Sequence, residues 1–161
     1  MPATSRARRG GEKEEPNEPQ PEPLPVLTIV PDVSGYVRII NGKTALETVE
    51  IRVKEPYYHY NSMISSYGYF IKPVHKVYKV KQGRRLVYVY YGRYWFRRGE
   101  KGRAVYAGST KPSFIPFEPP SNPLEGVTII IDGPDLLVSS TDVDKIIGVL
   151  SDAGFKVAYS R

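Results

Sequence analysis

The chain of 161 residues contains no cysteine. Disulfides, thiolate metal sites and thiol nucleophiles are therefore excluded. Histidine is almost as scarce, with only His59 and His75. Glu55 is the one carboxylate close to either, so a histidine-centred metal site lacks its partners. Long apolar runs are missing too. The longest, such as 127–131, fall far short of the ~20 residues a membrane span needs. No apolar stretch follows the basic residues near the N-terminus, so a secretory leader is not expected and a cytoplasmic location is. No Walker loop, Gly-x-Ser-x-Gly elbow or dinucleotide fingerprint occurs; Gly99-Glu100-Lys101-Gly102 lacks the length and the Ser/Thr of a phosphate loop. Tyr, His and Lys occur together, as in the acid–base sets of some RNA-cleaving enzymes, but at no motif spacing. The expectation is a binding protein without cofactor or catalytic residues.

Acidic residues are missing from one region in particular. The formal net charge is +6, yet residues 52–111 hold 14 Lys/Arg against only Glu55 and Glu100, a local net of +12. The flanking segments are neutral to acidic, with 3 Lys/Arg against 7 Asp/Glu in residues 112–161. The same central block holds 11 of the 13 tyrosines. Charge confined in this way marks an electrostatic footprint. Fifteen prolines beside many Val, Ile, Tyr, Lys and Arg lean the composition towards a heat-adapted source.

Residues 1–25 combine Arg6, Arg8 and Arg9 with five glutamates and prolines at 16, 19, 21, 23 and 25. Without apolar periodicity they are expected to be a disordered tail. Residues 26–111 read as a basic, tyrosine-rich β domain. Strands are expected at 26–30 and 36–40. Asn41-Gly42 is a hairpin signal, and 44–53 alternates with Val49, Ile51 and Val53 on one face, which predicts a return strand. A helical turn at 44–47 competes with it. Residues 56–70 mix aromatics and small polar residues without period and read as an ordered loop or wide connection entering a strand at 69–71. An antiparallel meander follows over 74–80, 85–91, 93–98 and 103–107, with a break, bulge or bend at Gly92.

Residues 112–125 carry prolines at 112, 116, 119, 120 and 123 and read as a linker. Residues 126–161 form a strand–helix–strand unit: an apolar strand at 126–132, a helix with Val143, Ile146, Ile147 and Leu150 in one stripe, and a strand at 155–159. Asp132-Gly133-Pro134-Asp135 is a turn whose two acids could hold Mg²⁺, although a plain capped turn explains it as well. The fold class expected is α+β: a twisted antiparallel sheet or small barrel, with the C-terminal unit packed beside it.

Alternate strand residues share a face. Arg93, Trp95 and Arg97 should point one way and Tyr94, Phe96 and Arg98 the other; Leu86, Tyr88 and Tyr90 should oppose Arg85, Val87, Val89 and Tyr91. Such faces can meet phosphates and stack on bases. The candidate binding residues are Lys79, Lys81, Arg84, Arg85, Arg93, Arg97, Arg98, Lys101 and Arg103 for phosphates, with Tyr88, Tyr90, Tyr94 and Trp95 for stacking. The stretch 90–112, with its Tyr-Trp-Phe-Arg, Gly, Arg and Tyr-Ala-Gly elements, resembles the aromatic hairpin of small DNA-binding β modules in phage and archaeal integrase-like proteins. It also resembles short β-rich crenarchaeal proteins, some of them ribosome-associated. No recombinase catalytic set accompanies it. The resemblance implies nucleic acid, RNA or DNA, as partner, RNA slightly ahead. A module docking an acidic protein is the alternative.

Overall fold

The computed structural model describes residues 26–33 and 35–160. The expected tail at 1–25 lies outside the described residues. Eight strands form one open sheet: β1 Val26–Pro31, β2 Tyr36–Ile40, β3 Tyr69–Lys81, β4 Arg84–Arg98, β5 Ala104–Gly108, β6 Thr128–Asp132, β7 Asp135–Ser139 and β8 Lys156–Tyr159. Their order is β3-β4-β6-β7-β2-β1-β8, with β5 pairing the second half of β4. Every pair is antiparallel except β1–β8. The α+β class holds, and the sheet does not close into a barrel.

Two helices, α1 Gly42–Ile64 and α2 Val143–Asp152, cover one side of this sheet. Leu27, Ile29, Ile39, Val89, Ile129, Leu136 and Val138 point inward from the strands, and Val127 does so just before β6. Ala45, Leu46, Val49 and Val53 of α1 meet them, as do Val143, Ile146 and Leu150 of α2. Apolar burial of this kind stabilises at roughly 25 cal/mol per Å² removed from water.

The helix α1 replaces two expectations, the return strand over 44–53 and most of the loop over 56–70, while β3 does begin at Tyr69. Its buried residues Leu46, Val49, Val53, Tyr57, Tyr60 and Ile64 recur at intervals of three and four, the spacing of one helical face. Ile51, which the strand reading placed beside Val49 and Val53, is 69% exposed. Asn41 does adopt a left-handed conformation, with φ 58°, but it joins β2 to α1 and turns no hairpin. Gly42 serves close packing, since a Cβ there would sit 2.9 Å from the Leu136 side chain. Pro56 lies inside the helix, removing one backbone donor; the burial of Tyr57 and Tyr60 on the same turns offsets that loss.

Residues 112–125 are a packed strap and not a free linker. Ile115 and Leu124 are buried. The Tyr57 hydroxyl donates to the Pro120 carbonyl at 2.8 Å, and the Tyr60 hydroxyl to that of Phe117 at 2.6 Å. Burial pushes the Tyr57 phenol up to about 12. Asn122, itself buried, donates to the Pro73 and Gly92 carbonyls, both at 2.9 Å, and accepts from Leu124 N–H at 3.0 Å. It thereby pins the strap to the point where the β3–β4 register shifts, between Lys72 and Val74. The irregularity expected at Gly92 is this bulge.

The C-terminal elements are threaded into the same sheet as the basic block. β6 pairs β4, and β8 pairs β1. Residues 135–139 add an unexpected strand, β7, which returns from β6 through the Asp132–Asp135 turn. No helix among the described residues is long and apolar enough to cross a membrane.

Candidate functional site

Among the described residues, no helix and no strap covers the second face of the sheet. Cross-strand partners place its residues. Phe70 sits opposite Phe96, Lys72 opposite Tyr94, His75 opposite Tyr90, Val77 opposite Tyr88, Lys79 opposite Leu86 and Lys81 opposite Arg84. Tyr106 of β5 lies opposite Phe96 on its other side. Directly paired residues of an antiparallel ladder share a face, so rings and cations from three strands gather on one surface. All of these side chains are half-buried or exposed.

The rings form two groups of contacts. Tyr88 and Tyr90 stack with centroids 6.4 Å apart. His75 stacks on Tyr90 at 6.3 Å and tilts against Tyr94 at 6.0 Å. Phe70 and Phe96 stack at 5.4 Å, and Tyr106 meets Phe96 edge-on at 5.5 Å. Gly92 helps to shape the first group: a Cβ there would lie 3.1 Å from the Tyr94 ring, so any larger residue would displace that ring. Burial, with Tyr106 and Tyr90 nearby, pushes the Tyr94 phenol up, so it stays neutral at ordinary pH.

Four cations are seated over these rings. Lys79 Nζ lies 4.2 Å and Lys81 Nζ 5.2 Å from the Tyr88 centroid. Lys72 Nζ lies 5.0 Å from that of Phe96, and the Arg98 guanidinium 4.8 Å from that of Phe70. A hydrogen bond with Tyr88 raises the Lys81 ammonium above its ordinary value. Among the described residues, none of the four is ion-paired to a carboxylate. An exposed cation over a ring gains about 0.5–1 kcal/mol, little enough for a stronger anion to draw it away.

Of the residues picked from the sequence, Lys79, Lys81, Tyr88, Tyr90, Tyr94 and Arg98 come together here. The others do not. Trp95 is 1% exposed and packs edge-on against Tyr60 at 6.1 Å; it belongs to the core under α1, because odd-numbered β4 residues face the helices. Arg84 reaches the face but is ion-paired to Asp132. Arg93 pairs with Glu125 at 3.2 Å. Arg97, Lys101 and Arg103 line a groove at the turn between β4 and β5, on the opposite side. Arg85 is exposed near the β3–β4 turn, facing the helix side.

Phe70, Lys72, His75, Phe96 and Tyr106 complete the surface and stand outside the candidate binding residues expected from the sequence. The alternation of β4 already put Phe96 with Tyr94. The β3 contributors became legible only with the register, since the bulge resets which β3 residues face outward.

Asp132 and Asp135, the pair considered for a metal, are engaged by arginine. Arg38 reaches Asp132 at 3.0 Å, Asp135 at 3.1 Å and Asp32 at 2.8 Å. The Val33 N–H and Arg38 hold the Asp32 carboxyl below its usual range. This knot braces β1, β2, β6 and β7 at one end of the face. His59 is exposed on α1, far from His75 in the sequence. Comparison of the chain with protein-family models, curated proteins and solved structures found no match.

Proposed function

We propose that the open face of the sheet binds nucleic acid and performs no chemistry on it. The observation that carries this reading is the pair of ring groups, Tyr88–Tyr90–His75–Tyr94 and Phe70–Phe96–Tyr106, with four cations over them that no carboxylate among the described residues neutralises. Rings supply stacking surface for bases, and cations supply phosphate contacts. A sheet face built only for solvation has no need of the rings. A face built to meet an acidic protein has no need of so many neighbouring rings. RNA stands ahead of DNA in this proposal because folded RNA offers more unpaired bases to such rings; association with a larger ribonucleoprotein is part of the same reading.

The test is purification without nuclease, a 260/280 nm ratio, and gel shift on single-stranded RNA, duplex RNA and duplex DNA at about 50 mM salt, where weak phosphate contacts persist. A shift on at least one of the three is expected. Absence of a shift on all three overturns the proposal.

A further inference from the structure

We propose that the ligand of this face is an extended single strand whose bases settle one per ring along β4. This deepens the nucleic-acid reading and rests on it. The argument comes from spacing. Neighbouring rings in the first group lie 6.4, 6.3 and 6.0 Å apart. Bases within one strand of a duplex rise about 3.4 Å per step. The rings are therefore spaced at nearly twice the duplex step, so a stacked strand cannot place successive bases on successive rings. Bases in a duplex are also stacked on one another, so their faces are closed to protein rings. A single strand pulled out to one base per ring satisfies both conditions.

The strand sets the spacing. Alternate residues of one face are separated by two steps of about 3.4 Å each, which reproduces the Tyr88–Tyr90 distance. Tyr88 and Tyr90 form one such pair on β4 and Tyr94 and Phe96 another, with the His75 ring of β3 lying between Tyr90 and Tyr94. The site thus takes about four nucleotides on the β4 rings, or about five with one on His75, at the short end of the range for single-strand binding folds. Lys79 and Lys81 cap Tyr88, and Lys72 caps Phe96. A base arriving on either ring displaces an ammonium to the adjacent phosphate. One contact is exchanged for a stronger one, and no side chain has to be ordered from nothing.

The experiment is fluorescence anisotropy with the full chain at fixed salt. The probes are labelled single-stranded oligonucleotides of two, four and eight residues, an eight-base-pair duplex, and inorganic polyphosphate as an unlabelled competitor without bases. Affinity is expected to rise steeply from two to four nucleotides and little beyond the statistical gain at eight. The duplex is expected to bind at least tenfold more weakly than the eight-residue strand. Tyr90→Ala is expected to weaken single-strand binding about 5- to 150-fold, while Tyr90→Phe, which keeps the ring, restores it. Polyphosphate is expected to compete equally against the parent and Tyr90→Ala. A duplex that binds as tightly as the strand, or a Tyr90→Ala protein that folds and binds normally, overturns the inference and leaves nucleic-acid binding standing. Binding of polyphosphate but of no oligonucleotide overturns both.

Discussion

Replacing Lys72, Lys79, Lys81 and Arg98 together with Gln removes four charges from the open face. Replacing Arg85, Arg97, Lys101 and Arg103 removes four from the other side and the β4–β5 turn. Both variants carry the same net charge, so any difference between them reports geometry. For a single strand, log affinity falls with log salt at about −0.7 per phosphate neutralised. Four contacts give a slope near −2.8, and hence about a 50-fold loss between 50 and 200 mM salt. The open-face variant should flatten the slope towards zero. The reverse variant should stay within about one unit of the parent, because its cations lie across the sheet at distances comparable to the ~10 Å Debye length at 0.1 M. The assay is anisotropy across a salt series, with circular dichroism to establish folding. Flattening by the reverse variant, with the open-face variant unchanged, would refute the assignment of the face.

Three further outcomes follow from the fold. Trp95→Phe should cost about 1–3 kcal/mol in urea unfolding, as expected for shrinking a buried side chain, and leave the affinity of the folded protein unchanged. Asn122→Ala should cost about 3 kcal/mol, since three buried hydrogen bonds at about 1 kcal/mol each are lost; a loss below 1 kcal/mol would mean that the strap is not pinned there. Glu50, buried beneath the sheet, is raised by desolvation but lowered further by Lys54 and Lys76, so its carboxyl ends below the ordinary value of 4.5. A depressed carboxyl stabilises the fold fully above the unfolded value and loses that contribution as pH falls through the folded one. Glu50→Gln should therefore remove part of the acid-side loss of stability below about pH 4.5, read as thermal midpoint against pH.

Much of the site was legible in the sequence because strands have a short period. The alternation over 85–98 correctly set Tyr88 and Tyr90 against Val87 and Val89, and Tyr94 against Trp95. It could not say which side the helices would cover. Trp95 was therefore grouped with the tyrosines, although its side of β4 was the one that became core. Charge was also visible without its partners: Arg84 and Arg93 look free until β6 and the strap bring Asp132 and Glu125 to them, 48 and 32 residues away.

The larger miss was α1. Three signals pointed away from a helix: Asn41-Gly42, the Val49–Ile51–Val53 alternation, and Pro56. The three-and-four spacing of Leu46, Val49, Val53, Tyr57, Tyr60 and Ile64 ran through all of them. Sheet packing over two turns on either side of Pro56 outweighed the local preferences. The prolines of 112–125 misled for a similar reason. They remove donors without preventing burial, and here the tyrosine hydroxyls of α1 satisfy the carbonyls left exposed.

Ultraviolet cross-linking of the full chain to a short uridine-rich single strand, followed by mass spectrometric mapping, tests the central claim most directly. Adducts are predicted at Tyr88, Tyr90, Tyr94, Phe96 or His75, with Trp95 and Tyr60 silent beneath the sheet. Adducts concentrated on α1, or on the turn around Lys101 and Arg103, would contradict it.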